Sequence, residues 1–299
     1  MLEIKKFAAI DIGSNAIRLL ISNVIISEDR EPQFKKSSLV RVPIRLGADV
    51  FVNDGTISGA NIDRMIHALE AFKLLMNVHN VEKYKACATS AMREASNRKE
   101  VTAKILSKTG IKIDVIGGKE EAEIISSTDL NELMEGNNTY LYVDVGGGST
   151  EFTLFSKGKT ISSKSFEMGT VRLLNNKKSV NKEIFYNVEK WVKKHTKGLK
   201  NVSLIGSGGN INKLFKMSGR TEGKPISFIY LNAQYQFLKN MSYENRISEL
   251  SLNPDRADVI IPATKIYLSA MKWSGARKIY VPKIGLSDGI IKTLYYNQL

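Results

Sequence analysis

Hydrophobic and polar positions change period several times along the chain, and each change marks an element. FAAIDIGSNAIRLLISNVII, beginning at Phe7, is β-branched and apolar on both sides of a Gly-Ser-Asn interruption, which predicts a strand, a tight turn and a second strand. From Ser58 the period becomes helical, with Ile62, Met65, Ile66, Leu69, Phe72 and Met76 forming one stripe. YKACATSAM then reads as a strand running into a polar turn, REASNRKEVTAKILSKTG as a helix stopped at Gly110, and IKIDVIGG as another strand. The alternation predicts an α/β fold.

A second unit opens after the helical stretch EEAEIISSTDLNEL. TYLYVDVGGGSTEFTLF repeats the N-terminal strand, turn and strand, and the two segments superpose without a gap, setting Asp11 on Asp144 and Gly13 on Gly146. VSLIGSGGNINKLF follows as strand, Gly-rich turn and helix, DRADVIIPATKIYLSAMKWSG as a helix, and RKIYVPKIGLSDGIIKTLYY as a strand leading to a final helix. The expected organisation is two related α/β domains facing a central cleft, residues 1–124 and 125–285.

The turns carry the candidate chemistry. With Gly147 and Gly148 as a two-residue turn, Gly146 faces Ser149 and Asp144 faces Glu151, their Cβ atoms about 4.5–5.5 Å apart. Like charges so placed repel, and a divalent cation between them reverses the sign; carboxylate oxygens favour Mg²⁺, Mn²⁺ or Ca²⁺. Gly146, Gly147 and Gly148 let backbone N–H groups approach phosphate oxygens, and Ser149 adds a hydroxyl donor. The same register in the first hairpin puts Ser14 and Asn15 at the turn and Asp11 opposite Arg18, a charge already paired. The metal is therefore expected at Asp144 and Glu151, with Ser14 and Asn15 as phosphate contacts; an ordinary tight turn explains either hairpin as well. GSGGN, at 206–210, lacks the full G-x-G-x-x-G spacing and reads as a third loop of close approach.

Composition changes the picture chiefly through charge. The 299 residues carry 44 Lys+Arg against 30 Asp+Glu, a formal net charge of +14, with eight lysines but only Glu183 and Glu189 between Lys177 and Lys200. That balance suits a polyanion such as a phosphate chain, a nucleotide or nucleic acid, but no helix-turn-helix, zinc finger or RNA-binding sheet signature makes nucleic acid specific. His67, His79 and His195 have no zinc-ligand spacing. Cys87 is the one cysteine and reads as a small buried hydrophobe. No apolar run approaches the roughly 18 residues of a membrane span, and a soluble protein of a reducing compartment is expected. Glu120, Glu121 and Glu123 open a helix, where the dipole accounts for carboxylates as readily as catalysis does. Arg93, at a strand-to-helix junction, is either a bidentate phosphate clamp or a surface arginine.

FAAIDIGSNAIRLL, ATSAMREASN, GGKEEAE, YVDVGGGSTEF and LIGSGGN, in this order, resemble the exopolyphosphatase and guanosine pentaphosphate phosphatase family, within the superfamily of actin, hexokinase and heat-shock ATPases. The resemblance runs from Phe7 to about Leu294. It implies two duplicated ribonuclease H-like domains around a central cleft, with the C-terminal helix, 286–299, packing back on the first. By the same resemblance Glu121 is the general base that activates water, Arg93 contacts the phosphate being cleaved, and Asp144 with Glu151 hold Mg²⁺ or Mn²⁺. The implied activity is hydrolysis of the terminal phosphate of inorganic polyphosphate, with guanosine pentaphosphate as alternative substrate, by a cytoplasmic homodimer. A kinase of the same superfamily and a non-catalytic polyphosphate sensor are the other readings. Ala16, Asn210 and Pro262 depart from the family's usual residues, which bears on substrate choice more than on hydrolysis.

Overall fold

The computed structural model describes residues 2–128 and 138–296. It divides into two compact units, Met1–Thr128 with Leu286–Leu299, and Asp129–Gly285. In the first unit, β1 (Leu2–Ile12), β2 (Ile17–Ser27) and β3 (Arg30–Val42) form an antiparallel meander, and β4 (Lys83–Ala88) and β5 (Ile113–Val115) extend the sheet in parallel from β1. The strand order is β3-β2-β1-β4-β5. Ala8, Ile10, Ile12, Ile17, Leu19 and Ile21 are buried in its core against the stripe of helix Gly59–Val78. The continuous apolar runs of the sequence are thus strands covered on their core side, as expected for parallel neighbours.

Five helices of this unit, α1 (Leu46–Val52), α2 (Gly59–Val78), α3 (Ser90–Glu94), α4 (Arg98–Thr109) and α5 (Gly118–Ser126), follow the strands. Helix α2 starts where the pattern changes, because the Ser58 hydroxyl caps the Asn61 N–H at 3.3 Å. The helix expected over REASNRKEVTAKILSKTG is two helices. Ala95 is extended, and the Asn97 amide bonds both backbone groups of Ile57, accepting from its N–H at 3.0 Å and donating to its carbonyl at 2.9 Å. That local pairing competes with helix hydrogen bonds and breaks the element. Gly110 ends α4 with φ 73°. In the EEAEIISSTDLNEL stretch, α5 stops at Ser126, and residues 129–133 lie outside those described.

The second unit repeats the plan. Strands β6 (Thr139–Val145), β7 (Thr150–Ser156) and β8 (Lys159–Phe166) form a meander, β9 (Val202–Ser207) lies parallel to β6, and β10 (Ile226–Ser227) and β11 (Lys278–Tyr280) complete the order β10-β11-β9-β6-β7-β8. Its helices are α6 (Thr170–Asn175), α7 (Lys178–Thr196), α8 (Gly209–Met217), α9 (Phe228–Asn240), α10 (Tyr243–Ser248), α11 (Pro254–Ala257) and α12 (Ile260–Ser274). The expected single helix from Asp255 to Ser274 is therefore α11 and α12. Pro262 falls in the first turn of α12, where its missing N–H removes no helix bond. Helix α13 (Leu286–Tyr295) belongs to the first unit: Asp288 pairs with Lys36 at 2.8 Å, and Gly289 meets α5 so closely that a Cβ there would lie 2.2 Å from the Ile124 carbonyl oxygen.

Candidate active site

Both hairpins have the register that their turn lengths predict. In the first unit Asp11 pairs with Arg18, Gly13 N–H donates to the Ala16 carbonyl at 3.1 Å, and an Arg18 guanidinium nitrogen lies 2.6 Å from Asp11 Oδ2. The Asp11 charge is buried but neutralised. The turn is fixed from behind: Ser14 carbonyl accepts from Gly47 N–H at 2.7 Å and Asn15 carbonyl from Arg45 N–H at 3.1 Å. Buried Ser14 also shares a hydroxyl hydrogen bond of 2.9 Å with Ser90, the first residue of α3. That short helix carries Arg93, whose guanidinium donates to the Ile116 carbonyl at 2.9 Å, directly before the Gly117–Gly118 lead into α5. One of five guanidinium donors is thereby engaged. Glu121, in the first turn of α5, is buried with 8% of its surface exposed, so it is more than a solvated capping acid. Ser14, Arg93 and the helix of Glu121 are thus tied together through Ser90 and Ile116.

In the second unit Asp144 pairs with Glu151, and Gly146 N–H donates to the Ser149 carbonyl at 3.0 Å. Glu151 is 2% exposed, and its Oε1 accepts hydroxyls from Ser149 at 2.7 Å and Ser165 at 2.8 Å. Asp144 Oδ2 accepts from the hydroxyls of Ser207 at 3.1 Å and Tyr142 at 3.4 Å. Ser207 Oγ also lies 2.9 Å from the Ile284 carbonyl, so its single proton is shared between two acceptors. Tyr267 donates to the Ser207 carbonyl from within the core. Burial, and secondarily the Asp144 charge, hold the Tyr142 and Tyr267 phenols well above their ordinary pKa. Both phenols therefore stay neutral and act as donors.

The Gly-rich turn is held more tightly than its sequence reveals. Thr170 N–H donates to the Gly146 carbonyl at 3.0 Å, Val171 N–H to Gly147 at 2.9 Å, and Arg172 Nε to Gly148 at 2.7 Å. In a planar trans peptide the N–H opposes the C=O, so the N–H groups of Gly147, Gly148 and Ser149 are turned away from residues 170–172. Successive backbone N–H groups turned to one side are the kind of donor that binds anions. The third loop also reaches this strand end: Gly208 has φ 114°, and an added Cβ would lie 2.9 Å from the Val145 carbonyl oxygen and 3.5 Å from Asp144 Oδ1. Gly209 packs on the Arg256 guanidinium, 3.0 Å from its added Cβ.

Sequence reasoning did not single out Ser90, Ser165, Ser207, Tyr142, Tyr267, Gly169 or Arg172. Tyr142 carried a signal, since it shares a strand face with Asp144; Ser165 and Tyr267 come from elements whose docking no local pattern encodes.

Two sheets of matching strand order, each opening on a short hairpin with an acid before the turn, define a duplicated ribonuclease H-like α/β protein. The chain belongs to the Ppx/GppA phosphatase family, whose model matches residues 25–297. A bifunctional 3-dehydroquinate synthase/phosphatase of Fusobacterium nucleatum is 33% identical over 92% of this chain and 44% of its own length. Exopolyphosphatase 2 of Mycobacterium tuberculosis is 34% identical over 58% of this chain and 54% of its own. This chain thus spans about half the length of these relatives. The crystal structure of an exopolyphosphatase from Cytophaga hutchinsonii superposes with a TM-score of 0.85 at 23% identity over 98% of both chains, which establishes the shared fold.

Proposed function

We propose that this protein is an exopolyphosphatase that hydrolyses the terminal phosphoanhydride of inorganic polyphosphate. The observation that carries the reading is the Gly146–Ser149 turn, its carbonyls drawn back by residues 170–172 and its N–H groups left to face an anion beside two carboxylates. Family membership and the excess of basic residues support the same substrate class.

In this reading Glu121 accepts a proton from water as the water oxygen attacks the terminal phosphorus. The bond from that phosphorus to the bridging oxygen breaks, and the shortened chain leaves with the electron pair. Within the first unit Arg93 donates to phosphoryl oxygens and Ser14 orients them; within the second, the turn N–H groups and Ser149 hold phosphate oxygens. Asp144 and Glu151, two carboxylates in register with hydroxyls around them, form a donor set of the kind that Mg²⁺ takes. Among the described residues no group of three or more His, Cys, Asp or Glu gathers to hold a metal; an ion at this pair would take its remaining ligands from water and substrate oxygens. Bound there, Mg²⁺ would neutralise charge developing on the phosphate chain.

A cytoplasmic homodimer is part of the same proposal and rests on the family resemblance alone. Among the described residues no helix is long and apolar enough to cross a membrane. Orthophosphate release from long polyphosphate, tripolyphosphate and guanosine pentaphosphate, with and without Mg²⁺, tests the proposal. Metal-dependent release, fastest from long polyphosphate, is expected. Release chiefly from guanosine pentaphosphate moves the chain to that substrate, and binding of polyphosphate without release makes it a sensor.

A further inference from the structure

We infer that Arg172 is a positioning residue of the phosphate-binding turn, acting by holding the Gly148 peptide and placing a positive charge behind it. The inference rests on the reading of the Gly146–Ser149 turn as a phosphate cradle. Three consecutive residues secure that turn, and two of them, Thr170 and Val171, do so through backbone N–H groups that any non-proline residue supplies. Only the third tie depends on a side chain. Arg172 Nε reaches the Gly148 carbonyl at 2.7 Å, and the side chain is 13% exposed, while its counter-ion Glu167 stands 3.9 Å off and is 76% exposed.

The geometry makes that tie consequential. The Gly148 carbonyl belongs to the same peptide as the Ser149 N–H, so fixing one orients the other. Ser149 in turn donates its hydroxyl to Glu151 Oε1 at 2.7 Å, so the peptide held by Arg172 also sets the residue beside a proposed metal acid. Gly169 lies against the same peptides, where an added Cβ would fall 2.2 Å from the Gly147 oxygen, leaving residues 169–172 as one bracket around the turn. A guanidinium on the carbonyl side polarises the peptide and raises the positive potential on its N–H side, and it is poorly screened because it is largely buried.

Calorimetry of a bis-methylene triphosphate analogue, which cannot be hydrolysed, against wild type, R172A and R172K tests this directly. Steady-state release from tripolyphosphate is measured in parallel. R172A is expected to weaken analogue binding by about tenfold, the range of a charge-assisted hydrogen bond, and to raise KM while lowering kcat by no more than about threefold. R172K, which restores a cationic donor, recovers most of the affinity. R172M replaces R172A if the alanine variant does not fold. Affinity in R172A or R172M within twofold of wild type overturns the inference, as does a loss that R172K reproduces in full. If wild type binds the analogue but releases no phosphate from any chain, the hydrolytic reading fails and the calorimetric comparison still decides the role of Arg172.

Discussion

At the scale of single residues, the polar groups beside the turns are placed by the charge each must satisfy. Asp11 meets Arg18, Glu151 meets two serine hydroxyls, and Asp144 meets Ser207 and Tyr142. The first pairing was legible in the sequence because a two-residue turn fixes register, and the Asp144–Glu151 pairing follows by the same argument. The hydroxyl partners were not, since Ser165 and Ser207 arrive on neighbouring strands whose order is a tertiary matter. Cys87 is fully buried, and burial pushes its thiol from 9.0 up to about 12. In that interval the unfolded thiol has lost its proton while the folded one keeps it, so stability falls as pH rises. The neutral phenols of Tyr142 and Tyr267 add to the same alkaline loss, because they too resist ionisation in the fold. Cys87→Ala is expected to flatten the decline between pH 9.0 and about 12 without abolishing it, as read from denaturant unfolding at a series of pH values. An unchanged slope in the variant would show that the thiol titrates alike in both states.

At the scale of elements, the strands and helices with a strong apolar period were readable, and those set by packing were not. The third strand of each meander, β3 and β8, is an edge strand rich in Lys and Ser and carries little apolar alternation. The breaks at Ala95 and before α12 come from side-chain pairing and a proline in a first turn, which a period alone cannot show. The Gly-rich turn and its register were legible, but its bracket at Gly169–Arg172 was not. Gly169→Ala should expose that dependence, because the backbone rather than a flexible side chain stands in the way. The variant is expected to lose about 1–3 kcal/mol of stability, as overpacking does, and at least about tenfold in phosphate release. Gly59→Ala, where nothing lies within 4 Å of the added Cβ, serves as control and should change neither. Wild-type turnover in Gly169→Ala would mean that the turn does not need its close backing.

At the scale of the whole molecule, duplication explains how one chain supplies two kinds of hairpin. An acid before a tight turn is kept in both units, but Arg18 stands opposite it in the first and a second carboxylate, Glu151, in the second, the pair to which we assign the cation. The +14 charge acts at this scale too, drawing polyanions toward the surface in a salt-dependent way. Hydrolysis of phosphate chains, as proposed above, turns on Glu121 as the general base. The most direct measurement is orthophosphate release from polyphosphate by wild type and Glu121→Ala, alongside their affinity for the non-hydrolysable triphosphate analogue. Turnover in the variant is expected to fall by about 10²–10⁴-fold, the range of general-base catalysis, with affinity nearly unchanged. Near-normal release by Glu121→Ala would contradict it.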